Sequence, residues 1–134
     1  MKDTIGKKNI SFGWIWLLIG LVMGAIMGLW SFNGPLPSPV GDYTSLPRRM
    51  LRLSHIAFVG LSFLNMLFGY QVDRLVLTRK LKKSSSMLLI GGSVLMPLIL
   101  FLAVFNEAFK YLLPIPAMMI IASLVIVVIG IIKK

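Results

Sequence analysis

The chain has 134 residues, 57% of them hydrophobic and only 13% charged, with 14 lysines and arginines against 4 acids, a net charge of +10 and no cysteine. A soluble domain carries about a quarter charged residues, so this composition, with a mean hydropathy of +0.91, excludes one. The length excludes a second domain, and the missing cysteine excludes a disulfide framework, a thiolate metal site and a cysteine nucleophile.

Residues 1–10 read as a polar tail with Lys2, Lys7 and Lys8. Residues 11–30 carry no charge, and about 20 residues at about 1.5 Å each cross a hydrocarbon core of about 30 Å. Trp14, Trp16 and Trp30 fall near the ends of this stretch, where indole rings favour headgroups. No small-residue cleavage site follows Trp30, so a retained first span is expected rather than a signal peptide. Gly20, Gly24 and Gly28 form a doubled GxxxG, the groove through which a second helix or a second copy approaches closely.

Residues 31–47 are rich in proline and glycine and predict an extended loop. Asp42 and Tyr43 are candidates for a surface site there. Pro47 then stands where a second helix can begin.

That helix, 49–71, is the chemically distinctive one. Set at about 100° per residue with His55 at zero, Arg48 falls at about 20°, Ser62 at about −20°, Arg52 at about 60° and Asn65 at about 80° to the other side. Polar groups are costly in hydrocarbon, so this stripe is expected to face protein, water or a ligand. His55 is the single histidine of the chain. Its sharp reading is an axial haem ligand with Arg48, Arg49 or Arg52 on the propionates, or a hydrogen-bonding contact for a quinone headgroup. Its plain reading is a histidine donating to a backbone carbonyl, with Ser62 and Asn65 as interhelical hydrogen-bond glue.

Residues 74–86 predict a basic loop closed by serines that cap a third span at 87–105. Pro97 lies inside that span and removes one backbone hydrogen bond, so a neighbouring group must satisfy the freed carbonyl. Residues 106–114 form a connection, and 115–132 a fourth span, expected to be the most lipid-exposed. The methionines, Met23 and Met27 among them, read as apolar gap-fillers.

The sequence therefore predicts an all-α bundle of four transmembrane helices. Ten lysines and arginines lie with the termini and the 74–86 stretch and four lie opposite, which predicts both termini in the cytoplasm of a bacterial-type inner membrane. Arg48, Arg49 and Arg52 run against that bias and call for an anionic contact. The basic residues sit beside apolar segments, which suits anionic headgroups of a lipid bilayer and not nucleic acid. No P-loop, GxSxG or HExxH is present, so no enzyme activity is expected. The expected role is an accessory or structural subunit of a larger membrane complex, with Arg48–Asp73 as contact or cofactor helix. The alternative is a homo-oligomeric small-solute or ion transporter. Its four-span format is similar to that of small multidrug transporters, but the first-helix carboxylate those depend on is missing here.

Overall fold

The protein is described from a computed structural model that covers residues 4–29 and 36–133. Expectations for Lys2, Trp30 and Lys134 lie outside those residues. The described chain forms α1 (Ile5–Gly28), α2 (Leu46–Val72), α3 (Arg79–Leu102) and α4 (Pro114–Ile132), with a 3-10 turn at Glu107–Leu112. All four helical segments are long and apolar enough to cross a membrane.

Two helices start earlier than the sequence predicts. α1 begins at Ile5 and not at 11, because Thr4 caps it by accepting from the Lys7 N–H at 3.3 Å and Asp73 Oδ2 accepts from the Gly6 N–H at 3.2 Å. A carboxylate at the positive end of a helix is the favoured placement. Residues 5–10 of the predicted polar tail thus form the first turn and a half of α1. Similarly, α3 begins at Arg79 and not at 87, capped by Thr78, and it ends at Leu102 and not at 105. The predicted basic loop shrinks to 73–78, and the serines expected as caps lie inside the helix.

α1 and α2 run antiparallel and touch most closely at the end that holds the N-terminus of α1. A Cβ on Gly6 would stand 2.2 Å from the Gly69 oxygen, and one on Gly69 would stand 2.6 Å from the Gly6 oxygen. Only glycine permits that backbone approach. Gly13 meets Met66 and the Ser62 carbonyl, so Gly6, Gly13 and Gly20 line one α1 face at seven-residue intervals. Seven residues is the repeat that keeps one face on a neighbour. Of the GxxxG glycines, Gly20 packs on Val59 and Phe58 and Gly24 on His55, while no described residue lies within 4 Å of a Cβ at Gly28.

The apolar centre joins Phe68 and Val72 of α2 to Leu89 of α3 and Ile120 of α4. Beside it lies a buried polar cluster that hydropathy conceals. Asn9 Nδ2 donates to Asn65 Oδ1 at 2.9 Å, Asn65 Nδ2 donates to Ser93 Oγ at 2.7 Å, and the Ser86 hydroxyl donates to Asn9 Oδ1. Asn9, Asn65 and Ser93 are fully buried. α3 is joined to α4 by a reciprocal pair, in which Ser85 Oγ donates to the Ser123 carbonyl and Ser123 Oγ to the Ser85 carbonyl.

Pro97 shows how the freed carbonyl is satisfied. Lacking an N–H, it orphans the carbonyl of Ser93, four residues earlier, and the Trp16 indole donates to that oxygen at 3.0 Å. Trp16 is therefore half-buried against its neighbours, stacked on Phe12 and tilted against Phe58. α1 and the fourth span are both little covered within the bundle, with 17% and 22% of their most apolar 18-residue windows buried.

Candidate functional site

Away from the Gly6–Gly69 crossing, α1 and α2 leave progressively more room between them. A Cβ on Gly6 would meet backbone, one on Gly24 would meet an imidazole ring, and one on Gly28 would meet no described residue within 4 Å. The gap is a cavity of about 360 Å³ lined by Gly24, Met27 and Gly28 from α1, Arg48, Leu51, Arg52, His55 and Ile56 from α2, and Tyr43 from the connecting loop. That volume falls at the lower end of small-ligand pockets, which run from about 300 to about 1,000 Å³.

His55 lies across Gly24, whose missing side chain makes the space: a Cβ there would be 2.6 Å from His55 Cε1. His55 Nδ1 is 3.0 Å from the Gly20 carbonyl. A carbonyl can only accept, so Nδ1 carries the hydrogen and donates. This is the plain reading of the histidine, and it also leaves Nε2 as a lone pair, able to accept a hydrogen or hold a proton.

Arg48 is buried, and Arg52, one turn on, is half-buried. Both guanidinium groups lie over the Tyr43 ring, at 5.3 Å for Arg48 and 4.2 Å for Arg52. The loop is folded to deliver that ring. Leu36 N–H donates to the Gly41 carbonyl at 3.0 Å, and Ser45 donates to the Val40 carbonyl at 2.6 Å. Ser45 Oγ also accepts from the Arg48 N–H at 3.4 Å as the N-cap of α2. Arg52 Nη1 is buried without a hydrogen-bond partner among the described residues. A buried donor left unmade costs about 1–3 kcal/mol. That penalty on Arg52 falls if an oxygen-bearing anion or carbonyl enters.

The predicted stripe on α2 divides between two places. Arg48, Arg52 and His55 come together at the cavity, whereas Ser62 donates to the Phe58 carbonyl of its own helix and Asn65 joins the Asn9–Ser93 cluster. Arg49 is exposed. Among the described residues no group of three or more His, Cys, Asp or Glu side chains is placed to hold a metal ion. Sequence reasoning missed Asn9 as a core residue and the stacking of Tyr43 on the arginines. The seven-residue spacing of Gly6, Gly13 and Gly20 was the available signal for the first, since it puts Asn9 within a helix. The second depends on a loop fold that no periodicity encodes.

Compared with protein-family models, curated proteins and solved structures, the chain matches none of them.

Proposed function

We propose that this protein is a small non-catalytic subunit of a larger membrane assembly, with α2 holding an amphiphilic ligand in the α1–α2 cavity. The proposal places both termini and the 73–78 connection on the cytoplasmic side of a bacterial-type inner membrane and opens the cavity toward the other side. The observation that carries the reading is the convergence of Arg48, Arg52 and His55 on one cavity in which Arg52 Nη1 has no hydrogen-bond partner among the described residues. A headgroup with carbonyl oxygens, such as a quinone, suits this supply. Arginine donates to a carbonyl oxygen, and His55 Nε2 accepts from a quinol hydroxyl or, once protonated, donates to the quinone. Haem comes second, because one imidazole supplies one axial ligand and about 360 Å³ is a small cavity for a macrocycle.

The test is extraction and quantification of quinone from the protein purified in mild detergent with its partners, alongside an absorption spectrum. Retained quinone should fall at least fivefold in Arg52→Gln and in His55→Ala, with co-purifying chains unchanged. A Soret band removed by His55→Ala would transfer the site to haem. A colourless, quinone-free preparation whose partners are retained would leave His55 as a structural residue. Solute flux by the protein alone in liposomes would overturn the subunit reading.

Orientation is tested separately with impermeant thiol labelling of intact cells. Ser85 is buried against Ser123, so the cytoplasmic probe belongs at exposed Val76 in the 73–78 connection, paired with Ser38 opposite. Ser38→Cys should label and Val76→Cys should not. The reverse pattern would invert the topology.

A further inference from the structure

We infer that the end of the bundle opposite the α1–α2 cavity carries a seat for a lipid headgroup with two phosphates, in the groove between the first turns of α1 and α3. Lys8, Arg79, Lys80 and Lys83 surround a cavity there of about 550 Å³, continued by Ile5, Met87 and Ile90. The order of polarity matches a phospholipid. The cations lie at the helix starts, and Lys83, Met87 and Ile90 follow one another down one face of α3 at helical spacing, from charge to aliphatic surface.

The local potential among the described residues is strongly positive, with Lys8, Arg79, Lys80 and Lys83 all exposed. Neither α1 nor α3 has an acid in its first turn, and both place lysine or arginine at the helix end where the backbone N–H groups already make the potential positive. Among the described residues, Lys8, Arg79, Lys80 and Lys83 make no ion pair. Asp73 lies at this end, and its carboxylate, which accepts from the Gly6 N–H, offsets one of these charges. Ser86, also on the wall, is committed to Asn9. Four cations against that one carboxylate still leave more positive charge than one phosphate neutralises, which is the reason for assigning two. Basic pockets between membrane helices on the cytoplasmic side are the usual seats of multiply charged headgroups. This site shares no lining residue with the α1–α2 cavity and does not depend on what that cavity holds.

The experiment is native mass spectrometry of the full-length protein in detergent, titrated with diphosphatidylglycerol, phosphatidylglycerol or inorganic pyrophosphate. The two-phosphate lipid should bind at a ratio of one and at least tenfold more tightly than the one-phosphate lipid. Lys80→Gln/Lys83→Gln should weaken it at least fivefold. Arg74→Gln/Lys133→Gln, which removes the same charge at the same end outside the groove, should change it less than twofold. Equal effects of the two pairs would reduce the site to diffuse surface charge. Displacement of the lipid by equimolar pyrophosphate in the wild type would make it a site for free anions. Either result overturns the proposal, and the pyrophosphate arm decides even if a variant fails to fold.

Discussion

Gly69→Leu is expected to unfold the bundle in a mild detergent that leaves the wild type folded. A Cβ at this position would stand 2.6 Å from the Gly6 oxygen, 2.6 Å from Ile10 Cγ1 and 3.0 Å from the Ile10 nitrogen. Two of those atoms are backbone and cannot rotate away, so α1 must move off α2. Overpacking that a core absorbs by side-chain shifts costs about 1–3 kcal/mol. Here the shift also lengthens the 3.2 Å contact of the Gly6 N–H with Asp73 and the 2.9 Å bond between Asn9 and Asn65. Each polar contact released adds about 1–3 kcal/mol, for a total loss of about 3–9 kcal/mol. Gly60→Leu is the control on the same helix, because a Cβ there meets nothing within 4 Å. It should stay within about 0.5 kcal/mol of wild type. Equal melting of the Gly69 and Gly60 variants would show that the backbones do not cross closely at Gly69.

That crossing also marks where the sequence was legible and where it was not. The four apolar stretches were visible because hydropathy sums over a whole span. The starts of α1 and α3 were not, because Lys7, Lys8 and Asn9 in one and Arg79 to Ser86 in the other depress the sum while remaining helical. Four-residue spacing drew attention to Gly20, Gly24 and Gly28, whereas the contact face runs through Gly6, Gly13 and Gly20 and then reaches the His55 ring at Gly24. Helical angles grouped Arg48, Arg52 and His55, which line one cavity. They also grouped Asn65, about 80° away, and on a helix touched by two neighbours that angle is enough to face a different one. Pro97 predicted an orphan carbonyl, but the donor, Trp16, lies 77 residues from Ser93 and no local pattern could nominate it.

Asn65→Leu should produce the second large loss, about 2–4 kcal/mol, through hydrogen bonds and not sterics. The Asn65 amide is used on both sides: Nδ2 donates to the Leu61 carbonyl at 2.9 Å and to Ser93 Oγ at 2.7 Å, while Oδ1 accepts from Asn9 at 2.9 Å. Leucine keeps the same branched skeleton and is somewhat larger, so no cavity complicates the result, but it leaves Asn9 Nδ2 without an acceptor and Ser93 Oγ without a donor. Both residues are fully buried. At about 1–3 kcal/mol for each orphan the sum reaches the stated range. Individual hydrogen bonds between membrane helices average only about 0.6 kcal/mol and reach about 1.7, because the separated helices find other partners. A double-mutant cycle distinguishes the shared bond from the orphaning. Asn9→Leu and Asn65→Leu should each destabilise, and the double variant should lose less than their sum by about 0.5–1.7 kcal/mol, the part the two residues hold in common. Equilibrium unfolding in mixed micelles gives all four corners. Strict additivity would mean that Asn9 and Asn65 do not bond, and α1 would then be held to α2 by the glycine face, the His55–Gly20 hydrogen bond and the Trp16–Phe58 contact.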